Sequence, residues 1–164
     1  MRTRVGHSFI KERMAETGAI FGGEHSGHYY FRDNFRADSG LIAAMVVLEL
    51  LSRSDVPLSG LLQPLERYAD SGEINTEVPD PPAAAEALGA YFEASGASVD
   101  RLDGVTVSFD DWWCNVRPSN TEPLLRLNVE ASSVESCQAH VRELLDLIRS
   151  GPRPGAVIVG GTTS

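Results

Sequence analysis

Cysteine is scarce in this chain, which carries only Cys114 and Cys137. The two lie far apart and form no CxxC pair, which argues against a zinc ribbon or a disulfide framework and fits a reducing, cytoplasmic setting. Basic residues are also few: 14 Lys and Arg stand against 23 Asp and Glu, for a formal net charge of -9. A phosphate backbone is bound by surplus Lys and Arg, so this deficit argues against a nucleic-acid partner and requires any anion to be met by a local basic site. No apolar run approaches the length that spans a bilayer, and Met1-Arg2-Thr3-Arg4 leads into mixed polar sequence rather than the apolar core of a secretory signal. The expectation is a soluble protein without a membrane partner. Its 164 residues, 42% of them hydrophobic, suffice for one ordinary domain or for two small pieces that share an interface.

Punctuation along the chain divides it in two. A helix is expected over Phe9 to Thr17, closed by Gly18 as C-cap, followed by a short buried strand at Ala19-Ile20-Phe21. Gly22 to His28 is then a glycine-bounded loop carrying three ionisable side chains, and Tyr29-Tyr30-Phe31 reads as the strand that leaves it. Asp38-Ser39-Gly40 can cap a helix from Leu41 to Ser52 that is apolar on nearly every face, the pattern of a helix buried against a sheet. A shorter amphipathic piece, Leu58 to Tyr68, precedes a change of composition at Asp70-Ser71-Gly72, where a domain boundary is placed.

Beyond the boundary, Ile74 to Val78 alternates as a half-exposed strand, and Pro79-Asp80-Pro81-Pro82 ends it before an Ala-rich helix from Ala83 to Phe92. Val105 to Phe109 and Trp112 to Val116 read as strands joined by a turn at Asp110-Asp111, and Leu125 to Glu130 alternates again. The last helix opens with Ser132 three residues before Glu135, a capping-box spacing, and repeats apolar residues at Val134, Cys137, Val141, Leu144, Leu145 and Ile148. The Gly- and Pro-rich tail, 151–164, is expected to be flexible, with a candidate edge strand at Ala156 to Val159.

Two segments concentrate chemistry. Arg117-Pro118-Ser119-Asn120-Thr121-Glu122-Pro123 sets a guanidinium next to two hydroxyls and an amide held between two prolines, an anion cradle in an otherwise acidic protein. The bland alternative is a polar hairpin turn with an exposed Arg. In the loop Glu24 to His28, Glu and His side chains suit sugar hydroxyls, His also suits proton transfer near neutral pH, and the glycines let a ligand approach the backbone. Here the bland alternative is a turn with surface histidines. A metal held by His25 and His28 lacks an evident third ligand and is not expected. Gly23-Glu24-His25-Ser26-Gly27 has the wrong spacing for a nucleophile elbow, which disfavours a serine hydrolase. His7 and Lys11, taken alone, read as ordinary surface residues.

In this order the two segments resemble one family, the α-D-phosphohexomutases of the phosphomannomutase/phosphoglucomutase kind. Gly23 to His28 looks like their sugar-binding G-E-x-S-G-H loop, Arg117 to Pro123 like their R-x-S-N-T-E-P phosphate loop, and Val5-Gly6-His7-Ser8-Phe9-Ile10-Lys11 like their V-G-H-x-x-I-K segment. The resemblance implies an α/β + α+β chain: a partial third α/β mutase domain over 1–70, then a small C-terminal α+β domain over 71–150, TBP-like, with an antiparallel sheet flanked by helices. Glu24 and Ser26 would bind sugar hydroxyls, with Lys11 a further substrate contact. His7 and His28 would stand beside the reacting hydroxyl as catalytic groups. Arg117, Ser119, Asn120 and Thr121 would clamp the phosphate that is not reacting. The implied reaction interconverts hexose 1- and 6-phosphates through a phosphoserine enzyme and a bisphosphorylated sugar, with a hexose bisphosphate activator.

The family's phosphoserine loop of T-A-S-H-N-P type and magnesium loop of D-G-D-x-D-R type have no counterpart here. Mg2+ is thus implied for a complete enzyme but not as a ligand of this chain, and isolated turnover is not expected. The implied partners are a mannose or glucose phosphate, the missing N-terminal mutase domains, and a second copy if an apolar edge near Val5 and Ile20 is left uncovered. Asn120, where some phosphoglucosamine mutases carry glycine, tilts the sugar toward mannose or glucose, with phosphoglucosamine as the alternative. Two rival readings are a phosphosugar-binding module without turnover and an interaction domain whose loops are relics.

Overall fold

The computed structural model describes residues 1–119 and 122–151. Asn120, Thr121 and the candidate edge strand at Ala156 to Val159 lie outside the described residues. The chain divides into two compact units, Met1–Glu66 and a second beginning at Arg67.

The first unit opens with helix α1, His7–Thr17, which turns its buried Ile10 and Met14 inward and stops at Gly18 in the left-handed conformation that glycine adopts without strain. It starts two residues earlier than the pattern suggested, because the Gly6 carbonyl already accepts from Ile10 N at 3.2 Å. Strands β1 (Phe21–Gly23), β2 (Tyr29–Phe31) and β3 (Ala37–Asp38) form an antiparallel sheet in that order. Pairing begins at Phe21↔Phe31, so the first strand falls two residues later than expected, while Ala19 packs on the cluster of Ile10, Met14 and Tyr30. Gly22 is where β1 meets α1: a Cβ there would lie 3.0 Å from Ile10 and 3.2 Å from Met14.

Helix α2, Gly40–Ser52, has the expected cap, with Ser39 Oγ accepting from Ile42 N at 3.2 Å. Its expected burial is not found. No residue of α2 is buried, and Leu41 and Met45 are 83% and 66% exposed. Strands of three, three and two residues offer too little surface to cover a helix that is apolar all round. Val5 and Ile20 are also exposed. A one-turn helix α3, Leu58–Leu62, completes the regular structure of the unit.

The second unit is an antiparallel sheet with two helices. Its strands are β4 (Ala69–Asp70), β5 (Ile74–Glu77), β6 (Ser98–Asp100), β7 (Val105–Ser108), β8 (Trp112–Pro118) and β9 (Leu124–Ala131), and its helices are α4 (Pro81–Ala94) and α5 (Val134–Ser150). The order is β4-β9-β8-β7-β6, with β5 pairing β9 beside β4. The short strands β4 and β6 escaped the sequence reading because two or three residues carry no periodicity. Prolines at the first two helical positions start α4 rather than delay it: their missing N–H groups would be unpaired there anyway, and Asp80 Oδ1 caps Ala83 N at 3.0 Å.

Strict alternation along β8 and β9 buries Trp112, Cys114 and Val116 with Leu125, Leu127, Val129 and Ala131 on one face. Leu88 and Phe92 of α4 and Leu144 of α5 join them in one core. The other face presents a polar ladder, Trp113↔Glu130, Asn115↔Asn128 and Arg117↔Arg126. Ser133, not Ser132, caps α5, through Ser133 Oγ and Ser136 N at 3.2 Å; Ser132 N instead donates to Asp111 O at 3.2 Å. Val134 accordingly lies off the buried face, and His140 lies on it, stacked on Trp112 at 3.9 Å between ring centroids. Among the described residues no helix is long and apolar enough to cross a membrane.

Candidate functional site

Two hydrogen bonds close the β1–β2 loop, from Glu24 N to His28 O at 2.9 Å and from Gly27 N to Glu24 O at 3.0 Å. The second needs Gly27 at φ +83°, a backbone position that L side chains rarely adopt. The loop forms one wall of a cleft of about 530 Å³, whose other lining comes from the start of α1 and from β3. His7, Lys11, Glu24, Ser26 and His28, all singled out from the sequence, line this one cleft. His25, between them in sequence, is exposed and is not among the lining residues.

Tyr30 and Asp38, neither of them a site candidate from sequence, complete the cleft. Tyr30, 2% exposed on β2, donates its hydroxyl proton to Glu24 Oε1 and so fixes that carboxylate. Burial, and then the Glu24 carboxylate, push the Tyr30 phenol well above its ordinary value of 10, so it remains a donor throughout the neutral range. Asp38, which precedes the α2 cap residue Ser39, serves the loop as well. Its Oδ2 lies 2.7 Å from His28 Nδ1, and its Oδ1 accepts from Tyr29 N at 2.8 Å.

The hydrogen bond and charge of Asp38, with a smaller contribution from Glu24, raise the pKa of His28 above 6.5. The same hydrogen bond, and the Tyr29 amide, hold Asp38 below 3.8. A carboxylate acceptor requires the proton on Nδ1, which leaves Nε2 as the nitrogen able to meet a ligand. Neither partner's position was legible locally, since the β2–β3 pairing Tyr30↔Asp38 is what brings Asp38 to the loop.

In the second unit, Arg117 lies on β8 just before the turn, and Ser119 N donates to Leu124 O at 2.8 Å to close that turn. Two carboxylates approach the Arg117 fork: Glu73 Oε2 is 3.9 Å from Nη2, and Asp103 Oδ2 is 3.9 Å from Nη1. Neither acid is near Arg117 in sequence.

The family model "Phosphoglucomutase/phosphomannomutase, alpha/beta/alpha domain III" matches residues 1–68, and "Phosphoglucomutase/phosphomannomutase, C-terminal domain" matches residues 73–147. A phosphomannomutase of Salmonella montevideo is 43% identical over 150 residues, covering 90% of this chain and 33% of the relative. "Phosphohexose mutases" of Xanthomonas campestris are 40% identical over 148 residues, covering 89% of this chain and 33% of theirs. The crystal structure of a phosphoglucomutase/phosphomannomutase family protein from Burkholderia thailandensis superposes with a TM-score of 0.73 at 33% identity, covering 92% of this chain and 33% of that one.

The chain therefore belongs to the phosphoglucomutase/phosphomannomutase family, and its two units correspond to the family's domain III and C-terminal domain. It spans about a third of the length of the curated relatives it matches. Among the described residues no group of three or more His, Cys, Asp or Glu is placed to hold a metal ion.

Proposed function

We propose that this chain supplies sugar and phosphate recognition to a phosphomannomutase/phosphoglucomutase that interconverts hexose 1-phosphate and 6-phosphate through a phosphoserine and a bisphosphorylated sugar. The observation that carries the reading is the convergence of His7, Lys11, Glu24, Ser26 and His28 on one cleft. Glu24, with one oxygen engaged by Tyr30, accepts from sugar hydroxyls, and Ser26 adds a further hydrogen bond. His28, oriented by Asp38, presents Nε2 to the reacting hydroxyl; its raised pKa makes it a donor to higher pH than a free imidazole. His7 and Lys11 on the first turns of α1 complete the sugar side.

Arg117, with Ser119, Asn120 and Thr121, clamps the non-reacting phosphate, since positioning and charge neutralisation dominate phosphoryl transfer. The boundary between its two domains falls near residue 67, just before β4, which pairs with β9. Mannose and glucose phosphates are the substrates. The exposed apolar residues of α2 are where upstream mutase domains pack. With no phosphoserine loop in the sequence, the chain alone binds without turnover.

The test is calorimetric titration of the chain with mannose 1-phosphate and with glucose 1-phosphate, beside a coupled mutase assay containing magnesium and a bisphosphate primer. The expected result is saturable binding, lost in Arg117→Ala and Glu24→Ala, with no turnover. Turnover by pure chain, or binding indifferent to both substitutions, would remove the reading.

A further inference from the structure

Arg117 and Arg126 are direct cross-strand partners on the polar face of the β8–β9 pair. Like charges in that position repel, so a sheet that keeps them needs an anion between or beside them. Glu73, which precedes β5, meets that need: its carboxylate is 3.4 Å from Arg126 Nη1 and 3.9 Å from Arg117 Nη2. Asp103, in the β6–β7 loop, approaches the other terminal nitrogen of Arg117 at 3.9 Å.

The Asp103 loop is held in place by more than charge. Asn115 Nδ2 donates to Asp103 O at 2.9 Å and to Thr106 Oγ1 at 3.0 Å. Gly104, at φ +68°, lets the loop press against β8: a Cβ there would lie 2.5 Å from Val116 O and 3.0 Å from Arg117 Cα. The acceptor beside Arg117 is thus tied to the strand that carries Arg117.

The distances matter. At 3.9 Å a carboxylate attracts a guanidinium without forming a hydrogen bond, so the two acids orient the fork without engaging its N–H groups in close contacts. Glu73 makes its nearer contact with Arg126. An anion arriving at Arg117 therefore does not have to break a short ion pair.

We propose that Glu73 and Asp103 are positioning residues that together aim the Arg117 guanidinium at the phosphate it clamps, with Arg126 holding Glu73 in place. This rests on the phosphate-binding reading of Arg117. Removing the acids has two opposed effects. Losing the orienting charges frees the fork and weakens binding, whereas deleting negative charge beside Arg117 strengthens attraction for any anion, most at low salt. The proposal requires the first effect to be the larger.

Two measurements test it on the full chain carrying Glu73→Gln, Asp103→Asn or both. The first is ¹⁵N relaxation at the Arg117 Nε–Hε without ligand; the order parameter should fall in each variant and furthest in the pair. The second is titration with glucose 1-phosphate, where affinity should fall about three- to tenfold, the cost of immobilising one rotamer-rich side chain on binding. Glu73→Asp, which keeps a carboxylate, should recover part of the loss. Unchanged order parameters, or variants that bind equally or more tightly while the wild-type chain binds, would overturn the proposal. If the wild-type chain does not bind glucose 1-phosphate, the phosphate reading fails, and the order parameters still decide whether the acids hold the fork.

Discussion

Replacing Gly104 by alanine should be far more damaging than the same change at Gly18, although both glycines have positive φ, +68° and +67°. At Gly18 nothing lies within 4 Å of the point a Cβ would occupy, so alanine meets only the strain of the left-handed backbone, about 1–2 kcal/mol. At Gly104 the same strain is joined by contact with Val116 O at 2.5 Å and Arg117 Cα at 3.0 Å. Both are backbone atoms of a central strand, and Val116 is paired to Val105, so relief requires the ladder itself to shift. Overpacking of this kind adds about 1–3 kcal/mol, for a total of about 2–5 kcal/mol.

Trp112 and Trp113 are the chain's two tryptophans, and both lie in β8, so intrinsic fluorescence in urea reports unfolding of the second unit alone. With a slope of about 2 kcal/mol per molar urea, the Gly104→Ala midpoint should fall by roughly 1–2.5 M. Gly18→Ala, in the other unit, should leave that tryptophan transition in place. A Gly104→Ala midpoint lowered by less than about 0.5 M would refute the close-approach argument.

Three other outcomes are expected. Since Asp38 raises the His28 pKa above 6.5, the His28–Asp38 interaction stabilises the folded unit fully below that value and is lost as pH rises through the raised folded pKa. The lowered Asp38 pKa adds stability above 3.8 that is lost as pH falls through the folded value. An NMR titration of Asp38→Asn should therefore show His28 titrating lower than in the wild type, and an unmoved midpoint would contradict the assignment. Phe92→Ala, at a fully buried position touching Phe109 and Trp112, should cost about 3–5 kcal/mol in the same urea assay. Cys114, fully buried with its thiol pushed up to about 12 by desolvation, should resist a thiol reagent at neutral pH until the second unit unfolds; labelling at the rate of a free thiol would contradict its burial.

Much of the site was legible because its motifs are local. Glu24, Ser26 and His28 share one glycine-bounded loop, and Arg117 and Ser119 flank Pro118, so residue type and spacing already placed them together. The alternation of β8 and β9 and the helical spacing of α5 were readable for the same reason: each repeats a burial pattern within a few residues. Two boundaries differ from the sequence pattern. Ser133 rather than Ser132 caps α5, and Pro81 and Pro82, which suggest a break, occupy the first helical turn.

The alternation of buried and exposed positions in the second unit, the loop that carries Glu24 to His28, and the cationic segment at Arg117 follow from side-chain chemistry within short windows. Which distant side chains reach those segments depends on strand pairing and loop packing far apart in sequence. Asp38 reaches His28 through the β2–β3 register, Tyr30 reaches Glu24 across the hairpin, and Glu73 and Asp103 reach Arg117 from two different connections. Tertiary structure also decides that α2 is exposed, because an apolar sequence states what a helix would bury and not whether a surface is present to bury it against.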